Sequence, residues 1–167
     1  MKFLPFLLVF FINACATAPG PVSKQNQLPA SESLRRFYGE YLVQDARLNY
    51  TKITVVRFQE KSGVPTLSLY TSESNAAKEV TSVNDCSGFD RNMTDGSHRF
   101  VLPCYNKMPG SRKPTRVFFS VSDKKKIEES GAMISAFTPM YIPAGNYHLQ
   151  YNSGDSRMDS HFSLTKK

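Results

Sequence analysis

Alternation of apolar and polar residues is the feature that most restricts how this 167-residue chain can fold. Successive side chains of a strand point to opposite faces of a sheet, so a period of two predicts half-buried strands. The clearest such segments recur about every 8 to 14 residues between turn-forming residues, which is the rhythm of an all-β domain. They are 37–44, 52–59, 66–71 and 116–122. We therefore expect an antiparallel β-sandwich of about seven to nine strands in two packed sheets.

Helical patterns are scarce in this sequence. Ser74–Val83 (SNAAKEVTSV) contains good helix formers, and Ser74 or Asn75 could cap its first turn. Lys124–Ser130 (KKKIEES) is compatible either with one helical turn or with a charged loop. We expect one short helix beside the strands.

Two short motifs resemble families of β-proteins. Pro143-Ala144-Gly145-Asn146-Tyr147 resembles the turn and strand entry "PAG-x-Y" of several bacterial β-sandwich domains. That resemblance implies that Tyr147 packs on the core. Gly39, with Tyr41 two residues later, resembles the opening of the lipocalins, although the Trp that usually follows that Gly is absent. This second resemblance implies an alternative architecture, a lipocalin-like β-barrel.

Three Cys residues are present, Cys15, Cys86 and Cys104. Asp95-Gly96 lies between the last two and is a preferred hairpin-turn dipeptide. Folding the chain about Asp95 places Cys86 opposite Cys104. In an oxidising compartment, two Cys in that position favour a disulfide over a metal site or a catalytic thiol.

The N-terminus has the features of an export signal. Lys2 precedes an apolar run from Phe3 to Ile12 that is too short for a spanning helix, which needs roughly 20 apolar residues. The run leads into Ile12-Asn13-Ala14-Cys15, which resembles the bacterial lipobox, with Asn13 departing from the usual small residue. The resemblance implies a lipoprotein: cleavage before Cys15 and attachment of diacylglycerol and a palmitate-type acyl chain to that residue. The alternative is an ordinary signal peptide cut after Ala16.

The lipobox resemblance also implies a location in the cell envelope. Ala16 follows Cys15, and sorting rules of the Gram-negative kind then imply the outer membrane, with the domain facing the periplasm or the cell surface. Residues 15–33 are rich in Pro, Ser, Gln and Asn, a composition that predicts a flexible tether. We thus expect a signal peptide at 1–14, a lipidated tether at 15–33 and one β-rich domain at 34–167. A soluble periplasmic or secreted protein is the alternative location.

The charge pattern restricts the choice of partner. The formal net charge is +7, in short basic groups such as Lys124–Lys126. An exported chain without a nucleic-acid reader motif is not expected to bind nucleic acid. Besides the membrane that holds the anchor, an envelope protein or an anionic glycan or lipid is the expected partner. The simpler interpretation is that the basic groups are solvated turns.

Motifs for catalysis are missing: the sequence has no Gly-x-Ser-x-Gly, no His-Glu-x-x-His, no phosphate loop and no Cys-x-x-Cys. We therefore expect no catalytic residue and no cofactor. Pairing the last two strands about Gly154-Asp155 would set His148 opposite His161, with Gln150 opposite Asp159. Two adjacent imidazoles make these His weak candidates for Zn²⁺ or Cu²⁺ ligands, the simpler interpretation being His on a polar face.

Three functions are compatible with these observations. The first is a non-catalytic envelope lipoprotein whose β-domain binds an envelope protein or glycan, or serves as an assembly subunit. The second is a carrier of a small apolar ligand, with Tyr38, Phe58, Tyr70 and Phe118 lining a barrel cavity. The third is an enzyme, which requires a cleft where His98, His148 or His161 meets carboxylates.

Overall fold

The computed structural model describes residues 26–27, 30–47, 50–106, 114–128, 139–154 and 158–167. Within them the chain forms a single helix and thirteen strands. The elements are β1 (Asn26–Gln27), α1 (Ala30–Phe37), β2 (Gly39–Ala46), β3 (Ile53–Lys61), β4 (Val64–Thr71), β5 (Glu79–Ser82), β6 (Asp85–Cys86), β7 (Phe89–Asn92), β8 (His98–Asn106), β9 (Thr115–Ser122), β10 (Lys126–Glu128), β11 (Met140–Ile142), β12 (Tyr147–Asn152) and β13 (Ser160–Lys166).

Eleven strands form one antiparallel sheet, in the order β1-β7-β8-β9-β12-β13-β2-β3-β4-β5, with β6 paired to β8. Most neighbours in the sheet are also neighbours in sequence, which is the order of a meander. β10 and β11 interrupt it between β9 and β12 and form a separate two-stranded ribbon.

The sheet is curled, and its strand pairing can be followed from one strand to the next around a ring. The last strand, β13, pairs with β2. On the other side, residues 79–86 connect the two remaining strands, because β5 pairs with β4 and β6 pairs with β8. Between them, the Val83 amide donates to Pro65 O at 2.9 Å and the Asn84 amide to Tyr105 O at 3.1 Å. The all-β prediction with one short helix is confirmed, and the curled sheet is consistent with both the predicted sandwich and the barrel alternative.

The helix lies elsewhere than expected. Residues 74–78 form bends and irregular backbone, and Glu79–Ser82 is a strand, so the helix predicted at Ser74–Val83 is wrong. Pairing with β4 outweighs the weak helical preference of that segment. Helix α1 begins instead at Ala30, inside the segment predicted to be tether, and its Ser33 is fully buried. Strand β1, which pairs with β7, lies within the same segment.

Aromatic and aliphatic side chains fill the space inside the curled sheet. Phe37, the last residue of α1, enters this core, where its ring lies 5.5 Å from the ring of Phe119 and 5.6 Å from that of Phe100. The buried members of the core cluster are Phe37, Tyr41, Ile53, Val56, Phe58, Leu67, Leu69, Val83, Phe100, Leu102, Cys104, Val117, Phe119, Leu149, Tyr151, Phe162 and Leu164.

One lysine ties the helix to the sheet. Lys166 crosses Gly39, where an added Cβ would come within 2.7 Å of Lys166 Cε, and it donates from Nζ to Arg36 O at 2.9 Å. Its Nζ also lies 5.8 Å from the ring centroids of Tyr41 and Tyr147. Gly39 has φ of +155°, a conformation that glycine adopts readily. These contacts hold α1 over one end of the sheet.

Candidate functional site

The strands that enclose the core have a second face, directed outward. Residues Pro103, Phe118, Gln150 and His161 are successive partners across β8, β9, β12 and β13 and form one row of it. A neighbouring row, two residues along each strand, contains Val101, Ser120, His148 and Ser163. The row with Phe118 is partly accessible to solvent, and the row with His148 is buried. The outer face therefore has an open part and a covered part.

The β10–β11 ribbon accounts for the covered part. It leaves the sheet after β9 and returns before β12, and β11 contacts β13. Met140 and Ile142 of β11 are buried, while Tyr141 between them points away. The return turn is the predicted one: Asn146 N donates to Pro143 O at 3.1 Å, and Gly145 has a φ of +76°. Tyr147 then packs against Phe37, as the PAG-x-Y resemblance implies.

Beneath the ribbon, three basic side chains form a hydrogen-bonded chain. Lys126 Nζ lies 3.4 Å from His148 Nδ1, and His148 Nε2 lies 3.1 Å from His161 Nδ1. An ammonium group only donates, so Nδ1 of His148 accepts and Nε2 carries the hydrogen that is donated to His161. This arrangement needs a neutral His148. A proton on Nδ1 would face the Lys126 ammonium.

The surroundings of His148 explain its protonation behaviour. Its side chain is buried, and burial is the largest cause that lowers the pKa of His148 well below its usual value. The positive charge of Lys126 lowers this pKa further, as do His161 and Arg99. His148 is therefore neutral at physiological pH.

The sequence correctly places the two His on one face, but the predicted register is wrong. His148 lies opposite Ser163, and His161 lies opposite Gln150, so the two imidazoles meet diagonally with ring centroids 5.3 Å apart. Structural zinc sites use four ligands. Among the residues that the structure describes, no group of three or more His, Cys, Asp or Glu is positioned to hold a metal ion. Metal binding at His148 and His161 remains a prediction.

The open part of the outer face contains a small cleft. Its accessible walls are Tyr105, Arg116, Phe118 and Gln150, which we call the outer cleft, and its floor is formed by Cys104 and Val117. Its volume is about 60 Å³. Two aromatic rings beside a guanidinium and a carboxamide combine apolar area with directed hydrogen-bond donors, as binding sites commonly do.

Asp159 organises the polar wall of the outer cleft. Its carboxylate accepts hydrogen bonds from Gln150, from Asn152 at 2.8 Å and from Arg116 at 2.6 Å. Partial burial opposes ionisation, but the hydrogen bonds from Asn152 and Gln150 and the charge of Arg116 hold the pKa of Asp159 below its usual value. The ionised carboxylate thus fixes the orientation of both donor side chains of the cleft.

The structure describes all but one of the other predicted site residues. Cys15 is outside the described residues. Cys86 lies opposite Cys104, in the register given by folding about Asp95, and the two are joined as a disulfide. His98 is half exposed, with Nε2 3.5 Å from Asp90 Oδ1.

Lys126 and Asp159 were missed as site residues in the sequence. Lys126 belongs to a run of basic residues, which is also typical of a solvated loop. Its residue type alone therefore did not indicate a functional site. The predicted register places Asp159 opposite Gln150. The two side chains do interact, and the carboxylate of Asp159 also pairs with Arg116 of β9. Only the alternation of RVFFSVS, which puts Arg116 and Phe118 on the same face, could have indicated this contact.

Comparisons of the chain with protein-family models, with curated protein sequences and with solved structures give no match. In the part of the chain that the structure describes, no helix is long and apolar enough to cross a bilayer.

Proposed function

We propose that this protein is a non-catalytic, lipid-anchored lipoprotein of the bacterial outer membrane, whose β-domain binds an envelope protein or glycan through the outer cleft. The address is supported by the lipobox-type sequence Ile12-Asn13-Ala14-Cys15 after a charged and apolar start. Partner binding is supported by a single observation: Tyr105, Arg116, Phe118 and Gln150 form an accessible wall of aromatic and hydrogen-bonding groups on an otherwise polar face. Either the surface of another envelope protein or a sugar ring suits such a wall.

The preorganised polar groups add to this proposal. Arg116 and Gln150 are already held by Asp159, so a partner would meet donors whose side-chain freedom is already reduced. Fixing such groups before association reduces the entropy cost of binding. The cleft also lies on strands of the main sheet, which keeps its residues in constant relative positions.

The carrier hypothesis has one argument for it and one against it. The ring of strand pairing favours a barrel that could enclose a ligand. The centre of this ring is occupied by Phe37, Tyr41, Phe58 and Phe119, all fully buried. Of the four aromatics expected to line a cavity, Phe58 belongs to the buried core, and the partly buried Tyr38 packs against it with the two ring centroids 5.2 Å apart. Tyr70 lies beneath the guanidinium of Arg57, and Phe118 lines the outer cleft. The outer surface is therefore the better candidate for binding.

The anchor is tested by intact mass and membrane fractionation of the wild type beside Cys15→Ser. We expect the wild type to carry the mass of a diacylglyceryl group and to fractionate with membranes, and the variant to do neither. If both proteins are soluble and unmodified, the anchor is refuted, and the alternative location in the periplasm or medium gains support.

Partner binding is tested by photo-crosslinking in cells and by co-sedimentation with purified envelope glycan. Phe118→Ala is expected to weaken whichever interaction is found by at least about fivefold, because the loss of one buried aromatic contact at a binding centre costs ~1–3 kcal/mol. Tyr70→Ala is the matched control, since Tyr70 is another half-buried aromatic of the same sheet, on β4, which takes no part in the cleft. Equal effects of the two substitutions would contradict binding at the outer cleft.

A further inference from the structure

The β10–β11 ribbon exposes an apolar pair on the side turned away from the sheet. Ile127 and Tyr141 are direct partners across the ribbon, and each is 52% exposed. The residues that flank Tyr141 in β11, Met140 and Ile142, are each only 2% exposed. The ribbon thus has apolar residues on both of its faces, and only those of its inner face are buried.

Basic side chains surround this exposed pair. Lys125 Nζ lies 4.4 Å from the ring centroid of Tyr141, in a cation–π contact. Lys124, its neighbour, is exposed as well and reaches Asp95 O with its Nζ at 3.4 Å. Lys126 follows and points inward to His148. The ammonium group of Lys125 therefore contacts the apolar pair, and that of Lys124, the preceding residue, is a second accessible positive charge directed to the Asp95-Gly96 turn.

Tyrosine, lysine and an aliphatic residue side by side suit the headgroup region of a bilayer. A tyrosine ring is amphipathic and concentrates at this depth, and a lysine can lie along apolar surface while its ammonium meets phosphate. Negatively charged lipids attract such lysines, each strengthening binding about fivefold. Charge complementarity thus favours an anionic bilayer over a neutral surface.

Another exposed apolar residue lacks this setting. Val80 in β5 is 54% exposed, slightly more than Ile127 or Tyr141. It follows Glu79, whose carboxylate accepts hydrogen bonds from two tyrosines, and its cross-strand partner is Ser68. Exposure alone does not distinguish the ribbon, but the pairing of Ile127 with an exposed tyrosine and the contact of Lys125 with that tyrosine do.

We propose that the outer side of the β10–β11 ribbon, formed by Ile127 and Tyr141 with Lys124 and Lys125, docks onto the anionic headgroups of a bilayer. The proposal rests on the proposed membrane address for the source of that bilayer. The 15 residues from Cys15 to Pro29 can span at most about 50 Å, so a lipid at Cys15 would keep the domain close to the membrane. Docking then turns a defined side of the domain to the lipid.

The absence of Trp from the sequence allows a direct test. Tyr141→Trp places a single indole on the proposed docking side, and Val80→Trp places one at a similarly exposed control position. The probes are vesicles of phosphatidylcholine alone or with phosphatidylglycerol, with brominated acyl chains as quenchers. The full chain is used both as isolated and as Cys15→Ser, so that loss of the lipid anchor and loss of docking are read separately.

We expect the indole of Tyr141→Trp to be quenched in the anionic vesicles and Val80→Trp to remain unquenched. Adding Lys124→Gln and Lys125→Gln is expected to lower the docking equilibrium constant about 25-fold, and removing phosphatidylglycerol should have a similar effect. Equal quenching at the two positions, or none at residue 141, overturns the proposal. A dimer that Ile127→Ser dissociates would assign this side to a second copy of the chain and would also overturn it.

Discussion

Phe118 and Phe119 are adjacent in β9 but belong to opposite environments. Phe119 is fully buried among Phe37, Tyr41 and Phe58. Phe118 lies on the outer face beside Gln150, at an accessible cleft. The inner face of the sheet is continuous and apolar, whereas the outer face is polar, with one part covered by a ribbon and one part open. A strand with two apolar neighbours can therefore contribute one of them to stability and the other to binding.

The largest difference is expected from truncating these two rings. Phe119→Ala should lower the free energy of unfolding by ~3–5 kcal/mol, because it removes a buried ring from a packed core. Phe118→Ala should lower it by less than ~1 kcal/mol, because its ring is half-exposed. Urea unfolding of both variants measures the contrast. Similar losses would mean that the outer face is as important to stability as the core.

The disulfide crosses from the inner face to the short strand that completes the ring. Cys104 is buried in the core, and its partner Cys86 lies in β6, which has only two residues. Replacing both by Ala should cost ~3 kcal/mol in the loop-entropy model. Hydrogen exchange should rise more in residues 79–92 than in β12 and β13.

Thiol labelling of the denatured, unreduced wild type is the control for this variant, and neither Cys86 nor Cys104 should react. If the double variant unfolds at the same urea concentration as the wild type, the ring is held without this crosslink, and the contrast with the core weakens.

The covered part of the outer face should make stability depend on pH through His148. Burial and the charge of Lys126 lower the pKa of His148 in the folded state, so the unfolded chain binds a proton first as the pH falls. The contribution of His148 to the free energy of unfolding is therefore complete above pH ~6.5, the pKa of this residue in the unfolded chain. Below that pH it falls by up to ~1.4 kcal/mol per pH unit, until the pH reaches the pKa of His148 in the folded state. Urea unfolding between pH 7.5 and about 5 measures this slope.

Two His variants separate this effect from other titrations. His148→Gln is expected to flatten the slope below pH ~6.5, since the amide keeps polar atoms but does not titrate. His98→Gln, at a side chain that is 52% exposed, is expected to leave the slope unchanged. A wild-type slope in His148→Gln would show that His148 is not the responsible group.

The smallest expected difference in stability concerns the hydroxyl of Tyr151 at the edge of the core. Tyr151 is buried and its hydroxyl donates to Glu79 and lies 2.7 Å from Thr81 Oγ1. Burial, and secondly the hydrogen bond to Glu79, raise the pKa of Tyr151, so it remains a neutral donor. Tyr151→Phe should cost ~1 kcal/mol, while Tyr141→Phe on the exposed ribbon should change stability by less than ~0.5 kcal/mol. Equal thermal midpoints would contradict this contrast.

The pairing register of two strands could be predicted from the sequence only where a tight turn joins them. Asp95-Gly96 closes a tight turn in which Gly96 has a φ of +72° and the Ser97 amide donates to Asp95 Oδ1, and it sets every pair from Asn92–His98 to Cys86–Cys104. Between β12 and β13 the connection spans 153–159, too long for a turn dipeptide to fix the pairing. A shift of two residues there changed the partner of His148 from His161 to Ser163 without changing its face.

The sequence by itself determined the properties that depend on neighbouring residues: strands at period two, their inner faces, the Asp95-Gly96 and Pro143–Gly145 turns, and the opposition of Cys86 and Cys104. It did not determine which segments cover those faces. Helix α1 entering the core through Phe37, residues 79–86 joining β4 to β8, and the β10–β11 ribbon burying His148 all depend on contacts between distant parts of the chain. Local propensity is worth only tenths of a kcal/mol per residue, and such packing outweighs it.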